Sequence, residues 1–216
     1  MVLQVIQLFT QGYDNNFSYL VYDEQSKEAL VVDPCGDISL ITKAVDKHQL
    51  LLKFIVNTHG HFDHVEKNKE IKQLYQCNQC SILIHESESF AAESFLFDRK
   101  LKHNEVIFLG KEEVKVLHTP GHTLGSICLY FSNQENKYLI TGDTLFVNTV
   151  GRMDFAGGSK EQMYESLYNK ILSLDPSTLI LPGHDYGLMR MDTLEGQKAT
   201  NPFLKCKSKS EFMGRF

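Results

Sequence analysis

Short apolar runs rich in β-branched and aromatic residues recur along the whole chain: "LQVIQLF", "SYLVYD", "ALVVD", "LLKFIVN", "SILI", "EVIF", "EVKVLHT", "SICLYFS", "KYLIT" and "TLILP". Runs of this length, punctuated by Gly, Pro, Asn and Asp, predict strands. Four helical patterns lie between them. The first opens at Asp37 as N-cap and sets Ile38, Ile41 and Val45 on one face. The second follows a histidine cluster at residues 59–64, and the third covers residues 86–97. The fourth opens at Ser159 with Gln162 three residues on, a capping-box pattern, and carries Met163, Leu167, Ile171 and Leu174 along one stripe. Strands in hairpin-like groups broken by helices suit an α/β fold of layered sheets with helices outside, better than the strict alternation of a doubly wound sheet.

A length of 216 residues with 42% hydrophobic content is enough for one well-filled domain. The formal charge of −5 offers no general pull toward nucleic acid or an anionic membrane, so neither is expected as a partner. The start "MVLQVIQLFTQGYD" lacks the basic and apolar regions of a signal peptide, and no segment has the length of a membrane span; a cytoplasmic protein is expected. Five scattered cysteines, an odd number, argue against a disulfide framework and for reduced thiols. After Pro202 the chain turns basic, in "FLKCKSKSEFMGRF", and is read as a solvated, frayed end.

The chemistry concentrates in "NTHGHFDHVEKNKE". His59, His61, Asp63 and His64 supply imidazole and carboxylate donors, a set that suits zinc, iron or manganese. His59 and His61 stand two apart and cannot converge from a regular helix, so the cluster belongs on a loop at the end of the strand that closes at Val56. Three further donors stand just past predicted strands: His122 in "LHTPGHTLGS", Asp143 in "YLITGDTLF" and His184 in "LILPGHDYG". Five histidines and two aspartates at strand ends can form two adjoining sites if one carboxylate bridges, and paired ions about 3.5–4 Å apart are a common hydrolytic centre.

In their order and spacing, "THGHFDH", "HTPGHT", "GDTLF" and "PGHDY" resemble the signature of the metallo-β-lactamase superfamily, and within it the glyoxalase II-like (hydroxyacylglutathione hydrolase-like) enzymes. The resemblance runs from "LVVDP" to "NPFL" and implies a four-layer αββα sandwich over residues 1–204, followed by a short basic tail at 205–216. It also implies two divalent ions, zinc before iron or manganese, held by His59, His61 and His122 and by Asp63, His64 and His184, with Asp143 bridging. Asp63 and Asp143 are then the catalytic carboxylates. Asp33, in "VVDPCG", is read as a buried support, and His118 as a structural neighbour of His122.

An ion that brings the pKa of its bound water to about 7 makes hydroxide available at neutral pH, and a thioester with a good leaving group suits attack at such a site. The resemblance therefore implies cleavage of S-2-hydroxyacylglutathione, chiefly S-D-lactoylglutathione. The family's glutathione-binding Lys and Tyr are replaced here by Arg152 and Asp154 in "GRMDF", while Tyr186 is kept; Arg152 and Tyr186 are the candidate substrate contacts, with Lys205 and Lys207 as further cations. The alternative is a persulfide dioxygenase with one iron on His59, His122 and Asp143, which the shared "GR-x-DF" and "HDY" stretches resemble; a lactonase ranks lower. "GDTLF", the Gly pair after "MDFA" and "NPFL" favour the hydrolase. No Gly-x-Ser-x-Gly elbow is present, Cys35 and Cys128 read as inert core thiols, and Cys77 and Cys80 in "CNQC" read as a turn.

Overall fold

The computed structural model describes residues 3–75, 79–88 and 97–216. The first half builds a six-stranded sheet in sequential order from β1 (Leu3–Phe9), β2 (Phe17–Asp23), β3 (Glu28–Val32), β4 (Leu51–Val56), β5 (Ser81–His85) and β6 (Arg99–Leu101). The second half contributes β7 (Val106–Leu109), β8 (Glu112–His118), β9 (Ile127–Ser132) and β10 (Lys137–Gly142). A two-stranded ribbon, β11 (Leu145–Phe146) and β12 (Thr149–Val150), precedes β13 (Leu179–Pro182) and β14 (Asp192–Thr193). The second sheet has the order β14-β13-β10-β9-β8-β7.

Alternation along the strands dictates the layers, because successive side chains point to opposite faces. In β3, Leu30 and Val32 face the second sheet and pack with Val116, Leu129 and Ile140. Their neighbours Ala29 and Val31 face outward, against Ile41 and Val45 of α1 (Ser39–His48). On the far side of the second sheet, Leu139 and Ile180 pack with Met163, Leu167, Ile171 and Leu194. Helix, sheet, sheet, helix is the expected αββα sandwich.

The first helix starts one residue later than expected: it runs from Ser39 with Ile38 in the cap position and no side-chain cap, while the Asp37 carboxylate, one residue before, accepts from Ser39 N at 3.0 Å. Two short helices begin within and just after the histidine cluster, α2 (Phe62–Val65) and α3 (Asn68–Leu74). Asp63 and His64 thus sit on a helical turn rather than on the loop expected for the whole cluster. The Ser159 hydroxyl accepts from Gln162 N at 3.2 Å and starts α4 (Lys160–Glu165). Its apolar stripe continues through a wider π turn, Ser166–Lys170, and a 3-10 turn, Ile171–Ser173, so Leu174 is already extended. Replacing Ser159 with alanine is expected to cost about 1 kcal/mol, about 2–4 °C in Tm for a chain of this size, read by thermal melting. Glu86 and Ser87 form a turn; most of the third expected helix, residues 89–96, lies outside the described residues, as does Cys77.

The end of the chain departs from the frayed tail. Past α5 (Leu194–Thr200), the Ser208 hydroxyl caps α6 (Lys209–Met213), whose Phe212 is fully buried against Tyr164, Tyr168 and Phe203. One aromatic per turn is enough to anchor a five-residue helix that propensity alone could not hold. Among the described residues, Cys35, Cys80, Cys128 and Cys206 are free and buried, and burial pushes the first three thiols up to about 11, 12 and 11. No described helix is long and apolar enough to cross a membrane.

Candidate metal centre

Four of the donors named from the sequence, and the support Asp33, sit past the C-terminal end of a strand: Asp33 after β3, His59 after β4, His122 after β8, Asp143 after β10 and His184 after β13. The two packed sheets bring these ends to one edge, and His61, Asp63 and His64 join from the turn that follows β4. Three groups of donor atoms lie within 4.8 Å of one another: His59, His61 and His122; His59, His64 and Asp143; and Asp63, His64 and His184. Asp143 lies between the outer two, with Oδ2 at 3.5 Å from His122 Nε2 and 3.3 Å from His184 Nε2, and Oδ1 at 3.5 Å from His64 Nε2.

The outer nitrogens decide which atoms face inward. His64 Nδ1 lies 2.9 Å from Asp33 Oδ2, His122 Nδ1 2.6 Å from the Arg152 carbonyl and His184 Nδ1 2.7 Å from the Asp14 carbonyl. None of these oxygens can donate, so each ring places its proton outward and turns the Nε2 lone pair into the site. His64 Nε2 and His184 Nε2 then face each other at 3.1 Å, two ring nitrogens that need a cation, a proton or a metal ion, between them. His61 presents Nδ1, at 3.0 Å from His59 Nε2 and 2.9 Å from His122 Nε2. Nitrogens about 2.0–2.1 Å from a common ion stand roughly 3.3 Å apart at a tetrahedral edge, so this spacing is that of a ligand set. Asp143 Oδ1 is buried and, among the described residues, has no hydrogen-bond partner. A cation satisfies all of these atoms; the residues present fit divalent metal.

The electrostatics carry the same message. Burial opposes charge on His64, but Asp143, Asp33 and Asp63 outweigh it and raise the imidazole to about 10. His61 is pushed down to about 4 by burial and by neighbouring His122. Desolvation opposes charge on Asp143, yet His184, His64 and His59 hold its carboxyl well below the usual carboxylate range. The field around His64 demands positive charge, which a proton or an ion can supply.

Glycines make room for the crowding. Gly142 has φ of +48°, and a Cβ there would stand 2.5 Å from the Thr58 hydroxyl; a Cβ on Gly183 would stand 2.5 Å from Asp143 Oδ1. A cavity of about 380 Å³ opens over the donors, and Arg152 and Tyr186 are among the residues that line it. Arg152 spends its charge within its own turn, on Asp154 at 2.7 Å, and lies over the Phe155 ring. Tyr186 stacks flat on His184 and donates to Asp14. Lys205 and Lys207 are exposed and do not line the cavity. His118 is outside it, stacked on His85 and bonded to the Leu124 carbonyl.

Asn16 and Asp14, which carry no signal of a site in the sequence, both serve the centre. Asn16 Nδ2 donates to Asp63 Oδ2 at 2.9 Å and orients that carboxylate. Both residues belong to "YDNNFS", which reads as plain turn chemistry.

The family model for the metallo-beta-lactamase superfamily matches residues 12–184. The hydroxyacylglutathione hydrolase of Pelagibacter ubique (strain HTCC1062) is 34% identical over 209 residues, 97% of this chain and 81% of that one. That of Dictyostelium discoideum is also 34% identical, across 90% of this chain and 74% of its own. Among solved structures, ETHE1 from Myxococcus xanthus superposes with a TM-score of 0.81 at 27% identity, covering 99% of this chain and 89% of that one. Carrying a His and Asp centre suited to divalent metal, the chain belongs to the metallo-beta-lactamase superfamily, as a metal-dependent hydrolase related to the hydroxyacylglutathione hydrolases.

Proposed function

We propose that the chain hydrolyses a thioester of the S-2-hydroxyacylglutathione class at a centre of two divalent ions, zinc before iron or manganese. The observation that carries this is the position of Asp143 between two complete donor groups, within 3.5 Å of a histidine from each. His59, His61 and His122 would hold one ion and Asp63, His64 and His184 the other, with Asp143 placed to serve both. The names of the relatives support the substrate class.

Bound ions of this kind supply a water acidified to near-neutral pKa and polarise a carbonyl oxygen. The chain's own residues do the rest. Asn16 holds Asp63 in place, and the Arg152 and Asp14 carbonyls keep the His122 and His184 lone pairs aimed inward. Phe146 and Phe155 line the cavity and give the reacting carbonyl apolar walls. Arg152 offers a carboxylate-binding cation to the glutathione part once it exchanges Asp154 for substrate. In the reaction a water oxygen forms the new C–O bond and its two protons pass to solvent, the C–S bond breaks with its electron pair left on sulfur, and the products are a carboxylate and a thiolate that needs no protein acid.

The test is loss of thioester absorbance from S-D-lactoylglutathione with metal-quantified protein, beside Asp63→Ala. Hydrolysis is expected, falling about 10²-fold in the variant together with loss of one ion. The second reading, one iron on His59, His122 and Asp143 acting on glutathione persulfide, is favoured by the likeness to ETHE1. Oxygen uptake with glutathione persulfide, bound iron and no thioester hydrolysis would establish it instead.

A further inference from the structure

Beside the cavity over the donors lies a second, apolar cleft of about 530 Å³, bounded by Tyr13, Phe62, Phe155 and Ala156 and floored by His61 and Asp63. The two spaces share Tyr13, His61, Asp63 and Phe155, so they meet over the centre. Their chemistry differs. Arg152, Asp14, Thr149 and Tyr186 line only the first, whereas the walls the cleft adds are Phe62 and Ala156. Phe155 is the partition: its edge meets the His61 ring at 5.2 Å and its face carries the Arg152 guanidinium at 4.6 Å. Tyr13 and Phe62 are 86% and 62% exposed, an unusual outlay of aromatic surface next to two donor residues.

A thioester carbonyl poised at this centre has two substituents, and there are two spaces to receive them. The glutathione part carries carboxylates and amides and matches the side with Arg152 and Tyr186. We propose that the acyl substituent occupies the apolar cleft, and that the preferred acyl group is therefore bulky and apolar, an aryl or branched-alkyl 2-hydroxyacyl group rather than the small lactoyl group. This specificity rests on the thioesterase reading above. Phe62 and Tyr13 are its specificity-determining residues, because their rings are the apolar surface that a methyl group is too short to cover.

The experiment compares kcat/KM for S-D-mandeloylglutathione, which presents a phenyl ring, with that for S-D-lactoylglutathione, using metal-loaded protein. The phenyl substrate is expected to be preferred by about tenfold or more, the scale of pocket discrimination between apolar groups of different size. In Phe62→Ser and Tyr13→Ser, each with its metal content measured, the preference is expected to fall toward unity. Phe62 adjoins Asp63, so Tyr13, remote from the fold's core, provides the variant in which folding is not at issue. A ratio at or below one in the parent, or a preference unchanged in both variants, overturns the proposal and leaves the thioesterase reading standing. Hydrolysis of neither thioester by loaded protein overturns both.

Discussion

Replacing Asp143 with alanine is expected to lower kcat/KM for the thioester by about 10³-fold or more and to abolish stable loading of the ion pair. Its two oxygens face histidines of both donor groups, so on the proposed two-ion reading neither ion keeps its full set without it. The fold is expected to survive, because Asp143 Oδ1 has no hydrogen-bond partner among the described residues and the Oδ2 contacts are to His122 and His184, histidines of the centre itself. The contrast lies in the melting behaviour. Metal raises the Tm of the parent by mass action on the native state, and metal-free parent and variant melt within a few degrees of each other, but the variant gains little from added zinc. Parallel melts and metal analysis check this. A variant that loads two ions and keeps its rate would remove Asp143 from the bridge; one that fails to fold would make it a structural residue.

Asp143 also illustrates how far sequence carries the argument. Donors placed directly after apolar strands were legible, because a strand end is where a side chain leaves the packed layers and reaches the edge of the sandwich. The strands themselves were legible from β-branched runs, and the Ser159 cap from its spacing to Gln162. Strands of two or three residues, β6, β11, β12 and β14, carry too few positions for any period to register. The buried tail escaped for a related reason: a single fully covered aromatic, Phe212, decides its fate, and a run of lysines around it reads as solvated. Asn16 and Asp14 act through a side-chain amide and a backbone carbonyl reaching across 47 and 170 residues of chain, and no local pattern encodes such a contact.

Asp33 is the support on which both halves of the centre depend, and its removal is the second large effect. Its carboxylate accepts from Thr58 N at 2.7 Å, from the Thr58 hydroxyl at 2.6 Å and from His64 Nδ1 at 2.9 Å. Because the Thr58 hydroxyl spends its proton on Asp33, its oxygen is left to accept from His59 Nδ1 at 3.1 Å. One buried carboxylate thereby sets the tautomer of His59 in one donor group and of His64 in another, leaving both Nε2 lone pairs inward. Asp33 also holds a left-handed backbone, φ 48°, which asparagine tolerates and alanine does not. Asp33→Asn therefore changes the hydrogen-bond polarity while sparing the backbone. Its amide group meets donors at Thr58 or His64, and the His64 proton is driven to Nε2, where an ion should bind. The expected result is a 10- to 100-fold loss of affinity for zinc, by competition with a chromophoric chelator, and a stability loss of about 3 kcal/mol, roughly 10 °C in Tm. Excess zinc is expected to restore much of the rate in Asp33→Asn, since the reacting carbonyl never touches Asp33, whereas it cannot in Asp143→Ala. Unchanged zinc affinity and an unchanged melt would reduce Asp33 to an ordinary strand-end residue.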